Sequence, residues 1–359
     1  MRRSKSRPDA SDRGAATLDV ALLSGFRFQC RPDCGLCCYA SPAVTVVEQR
    51  RLLQIEPEAP MDPGDGGYRF IAPQGEGGAC HFLSANRCRV HALRPFPCAE
   101  YPLLVHVGSR PQATLVLTCP GLDLSALDGY AGGPAPEGPP LGLKSELAMV
   151  HLEMGRSPVG EWIGEGMRLD RVLRKRWSPS LEATESIERR LAAAMSRSVP
   201  DPGSLVPPPR SDGLDSLPLL FDPGLGRVGL ASGTDGLELW RLRESGGDVG
   251  EVGSYPVPQG EPALDEAGAR RLRGYLGYCL RRDSLTWQRF AAGPRGTGTL
   301  EDDLLRDLAE LRAAVLIRGS AISMATGGGV ATFGVTEIDR GIRATDADWL
   351  DRRTVGRIL

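Results

Sequence analysis

Eight of the nine cysteines lie between residues 30 and 119, and this clustering constrains the fold more than any other feature. Short spacings let one loop present several thiolates to one metal centre, which replaces their protons. In a cytosolic chain such a pattern favours metal binding over disulfides. We therefore predict a metal-stapled N-terminal module. Its candidate ligands are the motif Cys30-x3-Cys34-x2-Cys37-Cys38 and the later cysteines Cys80, Cys88, Cys98 and Cys119.

The spacing of these cysteines leaves the metal open. Tetrahedral thiolate coordination suits both zinc and iron–sulfur clusters. Eight thiols are enough for two four-thiolate sites, or for one site with spare thiols. In extended backbone the side chains of Cys37 and Cys38 would diverge, which favours two neighbouring sites or a multinuclear cluster. An iron–sulfur cluster is our leading interpretation, with zinc as the alternative.

Other metal-binding side chains are few. His81 and His91 lie beside cysteines and could each replace one as a ligand, although hydrogen bonding behind the ligands is the more common role. Cys279 stands alone and follows Leu272 and Leu276 on a helical face, so we expect it to be a buried core residue.

Composition excludes some classes of function. The formal net charge is -2 and 25% of residues are charged, which gives no reason to expect nucleic-acid binding. No apolar stretch approaches the roughly 18 residues that span a bilayer, and the N-terminus lacks a convincing signal peptide. We expect a cytoplasmic protein without a membrane segment, and an unknown protein or redox partner.

The chain divides by composition, and we predict an α+β fold. An irregular, cysteine-rich, metal-stapled module is followed by helices and a small strand-plus-helix region. The predicted segments are a disordered tail at 1–25, the metal-binding module at 26–130, a helical segment packing on it at 141–197, a Pro-rich linker at 198–213, and an α+β region of unknown role at 214–359.

Local patterns predict several elements. Capping boxes at Thr45–Glu48 and Thr299–Asp302 indicate helices through about 55 and 318, and a further helix is expected at 265–282. Short apolar runs at 217–221, 227–231 and 237–242 indicate an antiparallel meander. The glycines at 224, 226 and 229 spell a dinucleotide fingerprint, but no helix can follow, so we predict a hairpin turn.

The cysteine block also resembles a known family. The motifs that carry the resemblance are Cys30–Cys38, Ala79-Cys80-His81-Phe82-Leu83, the stretch from Cys88 to Cys98 with Arg94-Pro95, and Cys119-Pro120-Gly121. Together they are similar to the YkgJ-like cysteine-cluster family, a zinc- or iron-chelating domain often linked to iron–sulfur oxidoreductases. Flagellin lysine N-methylases have a similar cluster, so the resemblance also implies lysine methylation as an alternative activity.

One competing motif is present. Cys30-x3-Cys34-x2-Cys37 also fits the three-cysteine loop of radical S-adenosylmethionine enzymes. Leu36 replaces the usual aromatic residue, no series of βα units follows, and five further cysteines would be unexplained. The sequence thus predicts a metal-binding protein, serving either as a redox or protein-modifying enzyme component or as a structural zinc module that presents a C-terminal partner-binding region. We assign no catalytic residues.

Overall fold

A computed structural model describes residues 19–31, 34–39, 42–63, 69–74, 79–107, 111–132, 184–199, 219–234, 236–242, 249–258, 260–285, 299–328, 331–349 and 354–355. These residues form helices and several small sheets, so the predicted α+β class is confirmed. Most of the predicted linker at 198–213 and of the helical segment at 141–197 lies outside the described residues. Among the helices that are described, none is long and apolar enough to cross a membrane.

The N-terminal block consists of short strands, short helices and turns. Its first residues, 19–25, belong to the core rather than to the predicted tail, because a 3-10 helix at Ala21–Leu23 buries Leu22 and Leu23. The strands and α-helices, in chain order, are β1 (Arg27–Phe28), β2 (Ala43–Val44), α1 (Val46–Ile55), β3 (Met61–Pro63), β4 (Arg69–Ile71), β5 (Pro73–Gln74), β6 (Ala79–Cys80), β7 (Leu83–Ser84), β8 (Arg87–Cys88), α2 (Phe96–Glu100), β9 (Leu103–Val107), β10 (Pro111–Leu115) and β11 (Leu122–Asp123).

Most of these short strands pair with near neighbours in the chain, which suits a segment with little regular core. Hairpins join β7 to β8 and β9 to β10, while β1 pairs with the distant β11. The predicted capping box of α1 is confirmed. The Thr45 amide donates to Glu48 Oε2 at 2.8 Å, and the Glu48 amide donates to Thr45 Oγ1 at 3.3 Å.

The C-terminal part contains the longer elements: α3 (Thr184–Ser196), β12 (Leu219–Asp222), β13 (Gly226–Ser232), β14 (Leu237–Leu242), β15 (Val249–Tyr255), β16 (Ala263–Leu264), α4 (Glu266–Arg281), α5 (Leu300–Ala325), β17 (Thr332–Phe333), α6 (Val335–Thr345) and β18 (Thr354–Val355). The predicted meander is confirmed, and β15 adds a fourth antiparallel strand to it. Gly224 and Gly226 lie at the β12–β13 turn, as expected of a hairpin.

Helix α5 is longer than predicted, because it continues past Arg318 to Ala325. A side chain on Gly319 would place its Cβ 2.8 Å from the Glu337 carbonyl oxygen, and one on Gly341 would lie 2.1 Å from the Val315 carbonyl oxygen. These glycines therefore allow α5 and α6 to pack closely, so Gly319 serves helix packing rather than helix termination.

One hydrophobic core joins the two ends of the chain. Leu115, Leu117 and Cys119 from the cysteine block pack in the same buried cluster as Tyr275 and Ile342 from the C-terminal helices. At its centre lies an ion pair between Arg282 and Asp346, 2.6 Å apart and both nearly inaccessible to solvent. The C-terminal helices therefore fix the position of the cysteine segment that ends at Cys119.

Candidate metal centre

All eight candidate cysteines fall within the described residues, on four separate stretches of chain. Cys30 follows β1, while Cys37 and Cys38 lie in a 3-10 helix at Leu36–Tyr39. Cys34 lies in the turn just before that helix. The other four lie at the end of β6, at the end of β8, in α2, and in the turn between β10 and β11; they are Cys80, Cys88, Cys98 and Cys119. None of the nine cysteines forms a disulfide, and only Cys30 is exposed.

The first cysteine loop is shaped by its glycine. Gly35 has a φ of +55°, the left-handed conformation that glycine adopts without strain. It directs the Leu36 amide toward Cys34 Sγ at 3.5 Å, and its carbonyl accepts from the Cys38 amide at 3.0 Å. This turn places three cysteines within one short loop.

Cys37 and Cys38 interact with each other. The expected divergence of their side chains assumed extended backbone, but the structure has a 3-10 turn there. The Cys38 thiol hydrogen-bonds to the Cys37 sulfur, which lowers the Cys37 pKa to about 7 and raises that of Cys38. The two vicinal sulfurs therefore face a common space.

Cys37 is the electrostatic centre of the cluster. A negative charge on its sulfur raises the pKa of each of the other seven thiols. Since such coupling weakens with distance, the other seven sulfurs lie within electrostatic range of the Cys37 sulfur. Burial is the larger cause at most of these thiols; it raises the pKa of Cys80 to about 11 and that of Cys119 to about 12.

Electrostatic couplings among the other seven thiols divide them into two groups. In the first group, Cys34 is coupled to Cys30 and to Cys119. In the second, the couplings join Cys38, Cys80, Cys88 and Cys98. Three members of this second group, Cys38, Cys80 and Cys88, also share a hydrophobic cluster.

Across the described part of the chain, no three or more His, Cys, Asp and Glu side chains are arranged closely enough to hold a metal ion.

Four arginines surround the sulfurs, and sequence reasoning drew attention to only one of them. Arg94 lowers the pKa of four thiols, those of Cys30, Cys37, Cys88 and Cys98, although burial or hydrogen bonding has a larger effect at each. The other three act in the same way on nearby thiols and are Arg89, Arg227 and Arg343. A thiolate-bound metal centre carries net negative charge, which these cations would offset.

Two of these arginines come from the C-terminal half. Arg343 of α6 donates to the carbonyl oxygens of Cys119 and Leu122, the latter at 2.8 Å. Arg227 of β13 lies over the Tyr39 ring, 5.4 Å from its centroid, and is only 5% exposed. Its Nε and Nη1 have no hydrogen-bond partner among the described residues. A buried cation with spare donors beside Cys34 fits an anionic metal centre.

Neither histidine points to a ligand role here. The His81 Nε2 lies 2.6 Å from Glu56 Oε1, and Arg89 binds the same carboxylate at 3.0 Å. The exposed His91 accepts from Arg94 at 2.5 Å. Both histidines thus contact side chains that flank the cysteines. Cys279 is buried in the main core, as expected.

A comparison with protein families identifies this block. The model of the CxxCxxCC family, described as "Putative zinc- or iron-chelating domain", matches residues 29–120. Residues 29–120 are therefore similar to this cysteine-cluster family. The cysteine-cluster domain covers less than a third of the 359 residues, and its description is that of a module binding zinc or iron. No curated protein and no solved structure matches the chain.

Proposed function

We propose that the cysteine-cluster domain holds an iron–sulfur centre that serves an enzyme, either by electron transfer or in the modification of a protein or cofactor. The observation that carries the proposal is the electrostatic coupling of seven further thiols to Cys37, none of them in a disulfide. One mononuclear site uses four ligands, whereas a multinuclear cluster or two neighbouring sites can use all eight.

The surroundings of the cysteines favour a reactive centre over a purely structural one. A structural zinc site is closed, with four protein ligands and no open position. Here Cys30 is exposed and borders a large cavity, so one edge of the centre is accessible. Nearby guanidinium donors such as Arg227 would raise the reduction potential of an anionic cluster, since hydrogen bonds and net charge tune such centres.

Structural zinc remains the second candidate, supported by a different observation. Cys119 lies in the main core, and Cys80 lies in a second hydrophobic cluster, so metal binding at these residues would stabilise the fold. On that alternative the C-terminal region would present a surface to a partner. Both candidates require reduced thiols, and we propose a cytoplasmic location for either.

Anaerobic purification followed by metal analysis separates the two candidates. We expect a brown protein with broad visible absorption, and with iron and acid-labile sulfide in comparable amounts. Cys37→Ser should lose most of this colour, while the matched variant Cys279→Ser should keep it. A colourless wild-type protein with stoichiometric zinc would reject the iron–sulfur proposal and support the structural alternative.

A further inference from the structure

A cavity of about 900 Å³ opens beside the first cysteine loop. Cys30 and Cys34 border it, together with Arg31, Phe28, Asp123 and Phe221. Its size falls within the usual range of roughly 300–1,000 Å³ for small-molecule sites. The cavity therefore has room for a ligand next to the metal centre.

The walls of this cavity come from distant parts of the chain. One wall is the β1–β11 pair, extended by a hydrogen bond from the Gln29 amide to the Gly121 carbonyl at 2.9 Å. A side chain at Gly121 would place its Cβ 2.5 Å from the Gln29 carbonyl oxygen, so only glycine permits this close approach. The opposite wall is the β12–β13 hairpin, which contributes Phe221 and Pro223.

The charge of the cavity comes mainly from Arg31. Its guanidinium lies over the Phe221 ring, 5.8 Å from the centroid, and forms no ion pair with any described residue. The cation that lowers the pKa of the nearby Cys30 thiol is Arg94, after the larger effect of burial, which raises it. The Arg31 guanidinium is therefore left to interact with a ligand. Burial lowers the pKa of Arg343 most, and the positive charge of Arg31 lowers it further. The Arg31 charge therefore acts on neighbouring groups.

The remaining charges in the cavity are balanced. Arg27 and Asp123 lie directly opposite each other on β1 and β11. The Ser125 hydrogen bonds lower the Asp123 pKa most, and the charges of Arg271 and then Arg27 lower it further. The two Phe side chains, Phe28 and Phe221, and the prolines supply apolar surface around Arg31, which has no opposing carboxylate among the described lining residues. A guanidinium held against an aromatic ring is a common anion-recognition arrangement.

We propose that this cavity binds a small molecule carrying a carboxylate or phosphate group on a planar or apolar body. Arg31 binds the anionic group, and Phe28 and Phe221 contact the body. The bound molecule lies beside Cys30, at the accessible edge of the metal centre. This site goes beyond the proposed metal function and does not depend on which metal is bound.

Calorimetric titration of the anaerobically purified full chain tests the proposal. The probes are phenyl phosphate, benzoate and inorganic phosphate. Saturable binding of phenyl phosphate or benzoate is expected, and Arg31→Gln should weaken it about tenfold or more because it removes a charge-assisted contact. The matched control is Arg270→Gln, which removes an exposed arginine paired with Glu266 and should bind like the wild type.

Two further variants separate a loss of ligand binding from a loss of folding. Arg31→Lys keeps the charge and should bind more tightly than Arg31→Gln. Phe221→Leu should weaken phenyl phosphate while leaving inorganic phosphate unchanged. The proposal is overturned if the wild type binds neither aromatic probe, or if Arg31→Gln binds the aromatic probes as well as the wild type does. Metal analysis of the same samples shows separately whether the metal proposal holds.

Discussion

Cys38 hydrogen-bonds through its thiol to the sulfur of Cys37, its immediate neighbour in the chain. The same Cys37 sulfur is electrostatically coupled to thiols of both cysteine groups, whereas Cys38 is coupled mainly to the group containing Cys80 and Cys88. The two vicinal residues therefore hold different positions in one cluster, and their substitution should have different consequences.

We expect Cys38→Ser to lose part of the bound metal and Cys37→Ser to lose most of it, because Cys37 adjoins both groups. Elemental analysis of metal per chain, on variants purified anaerobically, measures the difference. Cys279→Ser is the control and should retain the wild-type content. Equal and complete loss from both variants would argue for a single centre and against two neighbouring sites.

The identity of the candidate ligands could be predicted from sequence, because cysteine clustering is a local pattern. The helix caps at Thr45 and Thr299 follow from equally local rules. Their side-chain chemistry acts within three or four residues, so no knowledge of the tertiary fold is needed.

The cations of the site could not be predicted in this way. Arg227 and Arg343 reach Cys34 and Cys119 only because the C-terminal sheet and helices pack against the cysteine block. Nothing in the local sequence marks these two arginines among the many others. The continuation of α5 past Gly319 was missed for the same reason, since the glycine fits the packing of α6 rather than a helix end.

Arg227 should matter only when the metal is present. Its buried guanidinium offsets the negative charge of metal-bound thiolates, so Arg227→Gln should speed metal loss to a chelator by about tenfold. Without metal the same cation is buried and unpaired, so the substitution should not destabilise the metal-free protein. Chelator competition followed by absorbance measures the first effect and denaturant unfolding measures the second.

The matched control is Arg241→Gln, which removes an exposed arginine from the neighbouring strand β14. It should change neither the rate of metal loss nor the free energy of unfolding. Equal rates of metal loss in Arg227→Gln and wild type would show that the guanidinium does not act on the centre.

Metal binding should release protons, and the affinity of the protein for the metal should therefore rise with pH. Burial raises the pKa of Cys80 to about 11 and that of Cys119 to about 12, so both are protonated at neutral pH in the metal-free protein. Metal binding requires thiolates, so each such ligand gives up about one proton. The interaction with Cys38 lowers the pKa of Cys37, so this thiol should release fewer protons than Cys80 or Cys119.

Calorimetric zinc titrations of metal-free protein, in two buffers of different ionisation enthalpy, give the number of protons released. Cys119→Ser should release about one proton fewer than wild type near neutral pH. Cys279 is also protonated, because burial raises its pKa to about 12, yet Cys279→Ser should release as many protons as wild type. Identical release by all three proteins would contradict ligation by Cys119.

Removing one partner of the buried ion pair between Arg282 and Asp346 should strongly destabilise the shared core. Asp346 also accepts from the Leu117 amide at 2.8 Å and from the Tyr275 hydroxyl at 3.2 Å. Asp346→Asn leaves the buried Arg282 uncompensated, which should lower the free energy of unfolding by about 3–5 kcal/mol. Denaturant unfolding measures the loss. Glu266→Gln, which breaks an exposed pair with Arg270, should leave stability nearly unchanged.

X-ray absorption at the metal edge of anaerobically prepared protein tests the central claim most directly, since it reports which atoms bind the metal. Convergence of thiolates around the ion predicts a first shell dominated by sulfur, at about 2.3 Å for zinc, and a similar sulfur shell for iron. Cys279→Ser should give the same spectrum. A first shell of nitrogen and oxygen, or protein that retains no metal while its cysteines form disulfides, would contradict the account.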